Sequence, residues 1–180
     1  MKSNLRYIIL YIIAFGVLAG AVFSVEMGIT KIFNYKVSIL IPKNMKRMTK
    51  KMMEIKYPAQ NRPTLVFTNE SGSINVAFNH TTTKLQQKDI ESLTEYMEQT
   101  FLQAYSDAKI LDKGVKVIHD RKVGFIEVIT PASDTEIYNL IFFTNFKGTM
   151  LLSTFNCTVA EAKDWQRTAY KIRESLKIND

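Results

Sequence analysis

The sequence predicts an α+β domain, an antiparallel β-sheet with flanking helices, preceded by an N-terminal apolar helix. Two observations carry the fold class. Strand-length apolar runs recur with only short polar joints between consecutive ones, as hairpin-connected strands require. Two longer stretches place apolar residues at three- and four-residue spacings instead, the period of an amphipathic helix. A chain of 180 residues has the length of one domain plus a leader and can bury a core without disulfides. Residues 31–180 are expected to form that single domain, with residues 1–25 set apart as a signal peptide or membrane-anchor helix.

After MKSNLR comes Tyr7–Val25, a run of 19 residues without charge. As a helix it would be about 28 Å long, roughly the thickness of a bilayer core. Two readings stay open. Either the run is an uncleaved single-pass anchor, or Tyr7–Leu18 is the apolar region of a signal peptide cleaved at Ala19-Gly20-Ala21, with secretion after cleavage near Ala21. The run is longer than signal peptides usually have, and Val22 and Phe23 extend it past the small residues, which favours the anchor. Lys2 and Arg6 precede it while Glu26 offsets Lys31 behind it, so the N-terminus stays inside and the domain lies outside the membrane.

In YKVSILIP (Tyr35–Pro42) the residues Tyr35, Val37, Ile39 and Ile41 share one face, and Pro42 ends the strand. The stretch IPKNMKRMTKKMMEIKYP (Ile41–Pro58) follows, with six lysines and arginines and four methionines against one acid, Glu54. On a helical wheel Met45, Met48, Met52 and Ile55 fall on one side and Lys43, Lys46, Arg47, Lys50 and Lys51 on the other, which predicts a short amphipathic helix. Thr64–Thr68 and Ile74–Phe78 make a hairpin around NESGS. Ile90, Leu93, Met97, Phe101, Ala104 and Ala108 then form one helical stripe, with Thr83 and Gln86 as its capping box. Four strands follow, Val115–Ile118, Gly124–Thr130, Glu136–Thr144 and Thr149–Phe155, joined by the turn-like HDRK, PASD and NFKG. A closing helix opens on a Thr158/Glu161 capping box and carries Trp165, Ala169, Ile172 and Leu176 on one stripe.

The net charge of +7 is unevenly placed. Nine basic residues and one acid lie between Lys31 and Arg62, whereas thirteen basic residues face fifteen acids from Pro63 onward. A nucleic-acid binder would repeat basic residues and aromatics throughout, so no nucleic-acid partner is expected. Lys43, Lys46, Arg47, Lys50 and Lys51 are candidates for contact with an anionic membrane or polymer. The competing reading packs the methionines on the sheet and leaves the lysines in solvent.

Catalytic patterns are missing from the sequence. His80 and His119 have no carboxylate or cysteine at ligand spacing and are expected as solvated residues at strand ends. No G-x-S-x-G elbow or glycine-rich phosphate loop occurs, and Ser71-Gly72-Ser73 reads as turn chemistry. Asp89, Glu91, Glu95 and Glu98 read as the polar face of a helix, and Asn69, Asn79 and Asn156 open glycosylation sequons. Cys157 reads as a buried, inert thiol. Tyr138, Phe142, Phe143, Phe146 and Phe155 read as core. No catalytic residue, cofactor or metal is expected. The chain reads as a non-catalytic exported or membrane-anchored module of the cell envelope with a protein partner; an enzyme with an unrecognised site is the remaining alternative.

The strand ending in Ile41-Pro42, the KYP and NRP steps, the VFTNESGSINVAFN hairpin with its long helix, and the phrase TFNCTVAEAKDW with a closing helix together resemble the PsbP-like fold family. That family includes the photosystem oxygen-evolving subunit, Ran-binding Mog proteins, bacterial DcrB-type envelope proteins and the Eag chaperones of secretion effectors. The resemblance spans about Phe33 to Ile178 and rests on element order and a few phrases. It implies an α-β-α sandwich used as a binding module. It carries over no site residue, and the chain departs from DcrB-type proteins in having no cysteine near the apolar run for lipid attachment.

Overall fold

The computed structural model describes residues 24–58, 62–132 and 134–179. Most of the apolar N-terminal run therefore lies outside the described residues, among which no helix is long and apolar enough to cross a membrane. The chain begins with β1 (Met27–Ile32) and β2 (Val37–Pro42). A two-residue strand β3 (Lys46–Arg47) and helix α1 (Lys50–Lys56) come next. β4 (Leu65–Thr68) and β5 (Asn75–Lys84) then lead to helix α2 (Ile90–Ala104). The meander β6 (Lys109–Ile118), β7 (Arg121–Pro131), β8 (Glu136–Phe146) and β9 (Thr149–Thr158) follows, and α3 (Val159–Glu174) and β10 (Lys177–Ile178) close the chain.

These strands form two antiparallel sheets, a large one in the order β3-β4-β5-β9-β8-β7-β6 and a small one in the order β1-β2-β10. Alternation along the strands divides the large sheet into two faces. Phe78, Phe125, Phe142, Leu151 and Phe155 point to one face and pack with Trp165, Ala169 and Ile172 of α3 and with Val37, Ile39 and Ile41 of β2. Ile126, Val128 and Ile141 point to the other, beneath Met97 and Phe101 of α2. The result is an α-β-α sandwich.

The joints obey turn chemistry. His119 and Asp120 both have positive φ (46° and 64°), as do Lys147 and Gly148 (52° and 81°). Two positive-φ residues make the turn that matches the right-handed twist of a two-residue hairpin. The α3 capping box is present as expected: Thr158 N–H and hydroxyl both donate to Glu161, at 3.1 and 2.8 Å.

Other expectations are corrected. Tyr35 is 73% exposed and belongs to a left-handed turn, Phe33–Tyr35, instead of the buried strand face. Thr83 lies within β5, and the capping box ahead of α2 joins Gln86 to Asp89 around a 3-10 turn. Ala104 is exposed at the last position of α2 and Ala108 lies beyond the helix. β1 and β10 are strands that pattern reading missed, and β5 and β6 are longer than expected because their extensions are polar.

The cap has a pH signature. Burial alone would raise the Glu161 carboxyl, but hydrogen bonds from Thr158 and Ser73 and the charge of Lys56 outweigh it and hold it below the usual carboxylate range. A depressed carboxylate stabilises the fold fully above its ordinary value of 4.5, and that contribution fades as pH falls through the lower folded value. Glu161→Gln is expected to cost about 1 kcal/mol near neutral pH and to flatten the acid limb of stability. Urea titrations at several pH values check this; equal losses at neutral and strongly acidic pH would contradict it.

Candidate anionic-surface site at the edge of the large sheet

The basic segment turns a corner of the molecule. Met27 pairs with Pro42, so the residue after β2 meets the residue before β1. There the Lys43 N–H donates to the Glu26 carbonyl at 2.9 Å, and the Lys43 ammonium pairs with the Glu26 carboxylate at 2.5 Å. Met45 is buried in the main core. Lys46 and Arg47 then add to the edge of the sheet opposite Thr68 and Phe67, with both side chains exposed. Met48 donates its N–H to Val66 and packs with Val66 and Ala77. Thr49 caps α1, its hydroxyl accepting from Met52 N–H at 3.2 Å.

The expected helix over the whole segment is therefore corrected. Met45 and Met48 flank an edge strand and enter different clusters, and the helix begins only at Lys50. Its inward contacts are Met53 and the following Tyr57, whereas Met52 and Ile55 are 38% and 74% exposed. The packing use of Met52 and Ile55 fails, because the two-turn helix meets the sheet with a different side. Lys50 and Lys51 are exposed in its first turn, where their charge opposes the helix dipole.

Of the five predicted cations, Lys43 is engaged by Glu26, while Lys46, Arg47, Lys50 and Lys51 gather at the β3–α1 edge. None of these four forms an ion pair among the described residues. Lys46 and Arg47 line an open recess of about 400 Å³ with Asn44, Thr49, Met52, Thr68, Asn69 and Glu70. Glu54, the acid of the segment, faces Arg62 at 3.8 Å. Lys56, exposed, donates to the Gly72 carbonyl; partial desolvation lowers its pKa against the opposing charge of Glu161.

A second polar constellation was missed by sequence reasoning. Glu127 of β7, 2% exposed, accepts from Tyr138 OH at 2.7 Å, Gln166 Nε2 at 2.6 Å and Tyr170 OH at 2.8 Å. Its signal was a lone acid in GFIEVIT, on the same side of the strand as Phe125. Burial and the hydrogen bond to Glu127 push the Tyr138 phenol far up and the Tyr170 phenol up to about 12. Nearby, the buried Arg173 guanidinium stacks on Phe125 at 4.4 Å and meets Glu174 at 3.3 Å. These groups join α3 to the sheet.

The remaining candidates serve structure. Burial, with a smaller contribution from Glu161, pushes the Cys157 thiol up to about 12, which keeps it protonated and inert at neutral pH. His80 corrects the solvated reading: it is half-buried against the rings of Phe33 and Phe146 and within 2.8 Å of the Thr149 hydroxyl. His119 is exposed in the β6–β7 turn. Glu91 pairs with Lys122, and Glu95 and Glu98 both pair with Lys113. Among the described residues, no group of three or more His, Cys, Asp or Glu side chains could hold a metal ion.

No family model matches the chain, and no curated protein is close enough in sequence to count as a relative. Solved structures do match. Cyanobacterial PsbP (CyanoP) of Synechocystis superposes with a TM-score of 0.62 over 88% of this chain and 96% of its own, at 11% identity. The chain has the PsbP-like fold. Two further PsbP-like likenesses come from distant sources. The Ran-binding protein Mog1p of Saccharomyces cerevisiae matches with a TM-score of 0.52 over 87% of this chain and 97% of its own, at 9% identity. LpqN of Mycobacterium tuberculosis matches with a TM-score of 0.53 over 87% and 92%, at 8% identity. The basic β3–α1 edge is thus an edge of a PsbP-like sandwich.

Proposed function

We propose that the chain is a non-catalytic binding module of the cell envelope, held outside a membrane by residues 7–25 and engaging a protein partner. One observation carries the reading. Of the side chains able to do acid–base or nucleophilic chemistry, Glu127, Tyr138 and Cys157 are buried in the packing and His119 is exposed in a turn, whereas the recess at the β3–α1 edge is lined chiefly by groups that recognise, among them Lys46, Arg47, Asn44, Asn69 and Thr49. Solved structures of the same fold lend support: one is described as Ran-binding and another as involved in cell envelope biogenesis.

Full-length chain, tagged and isolated from detergent-solubilised membranes, tests this. A protein recovered in stoichiometric amount, and lost when the membrane is stripped before solubilisation, is expected. Recovery of the chain alone under several mild detergents would overturn the partner.

A further inference from the structure

The corner at Glu26 and Lys43 connects two features that look separate in the sequence. The last residue of the apolar run, Val25, already packs against the main core, and β1 begins at Met27. The fold thus starts within the end of the run, and the tether to a membrane is short, about two residues or at most about 7 Å. The Met27–Pro42 pairing puts the start of the basic segment at that same end of the domain, and Lys46 follows Lys43 by three residues. A Debye length of about 8 Å at physiological salt exceeds the tether. Lys43 at this corner and Lys46, which shares a recess with Asn44, are therefore placed nearest the bilayer that holds the chain, whereas Arg47 also reaches the Phe33–Tyr35 turn at the other end of β1.

The composition of the edge fits such a surface. Lys46, Arg47, Lys50 and Lys51 are exposed beside Met52 and Ile55, apolar side chains that the fold leaves outside. Cations around exposed apolar tips suit an interface with anionic headgroups above acyl chains. The facing acids are few: Glu26 is paired with Lys43, Glu54 lies near Arg62, and Glu70 lines the recess.

We propose that the β3–α1 edge docks on the anionic phospholipid of the membrane that anchors the chain, Lys46, Arg47, Lys50 and Lys51 contacting headgroups and Met52 and Ile55 entering the interface. The docking rests on residues 7–25 serving as an anchor. It fixes the orientation of the domain and leaves the opposite edge of the sheet, β6, facing away from the lipid.

The test uses full-length chain carrying Ile55→Cys with a nitroxide label, Cys157 being buried, reconstituted in phosphatidylcholine vesicles with or without phosphatidylglycerol. With phosphatidylglycerol the label should become accessible to oxygen and shielded from a water-soluble relaxing agent; with phosphatidylcholine alone it should stay in water. Each neutralisation to glutamine among the four cations should weaken docking about fivefold, and the fourfold variant should abolish it with an unchanged melting temperature. Chain that survives an alkaline wash yet keeps its label in water in both lipids overturns the docking alone. Chain that washes off overturns the anchor and the docking with it. Shielding by added polyphosphate, and not by phosphatidylglycerol, would overturn the lipid in favour of a soluble anionic polymer.

Discussion

Glu127→Ala is expected to destabilise the fold by about 3 kcal/mol. Three donors converge on this carboxylate from β8 and α3, and a hydrogen bond to a charged group contributes about 1.5–3 kcal/mol. The effects overlap, since Gln166 and Tyr170 are only partly buried and can turn to water. The Tyr138 hydroxyl, on a side chain 1% exposed, cannot, and its desolvation goes uncompensated. Urea denaturation of Glu127→Ala, Tyr138→Phe and the double variant checks the account. The double variant should lose less than the sum of the singles, because removing the hydroxyl removes the orphan. Strict additivity would mean that Tyr138 and Glu127 are not coupled.

Gly124→Ala should cost up to about 3 kcal/mol by overpacking. Gly124 lies where α2 comes down on β7. A Cβ there would sit 2.5 Å from Phe143 Cζ and 2.6 Å from Thr94 Oγ1, and both neighbours are buried. Thr94 is held in place by its hydrogen bond to the Ile90 carbonyl at 2.8 Å, so α2 must lift for the methyl to fit. Thermal unfolding checks the loss, and Phe143→Leu in the Gly124→Ala background should recover part of it. An unchanged melting temperature for Gly124→Ala would show that α2 does not press on β7 so closely.

The parts of the fold legible in the sequence are those where burial imposes a period. The hairpins of β7, β8 and β9 could be read because one face of each strand is apolar core and the joints carry turn residues. The stripe of α3 and its Thr158/Glu161 cap were legible for the same reason. Reading failed where a strand lies in solvent: the Thr81–Lys84 end of β5 and the Lys109–Gly114 half of β6 show no alternation because both of their faces are largely wet. β1, with Gly28, Thr30 and Lys31, was hidden beside a longer apolar run.

The candidate site was legible in composition and not in shape. Met45 and Met48 stand three apart, which suits a helix, but a two-residue strand between them sends them to opposite faces of the sheet. Pairing of Lys46 and Arg47 with β4 decides the matter, and no local signal announces that pairing. The exposure of Ile55 was likewise hidden, since a wheel shows which residues share a side and not which side meets the sheet. Glu127 was visible as an acid within an apolar strand; its donors come from β8 and α3 and could not be placed without the fold.

Both functional proposals require that the domain stand outside a membrane on residues 7–25. Protease shaving of intact cells stripped of any outer wall tests this most directly, with the membrane fragment read by mass. The account predicts that the domain is digested from outside and that a membrane-embedded fragment retaining residues 1–25 remains. A domain protected until the membrane is broken, or one recovered in the soluble fraction without its first 21 residues, would contradict it.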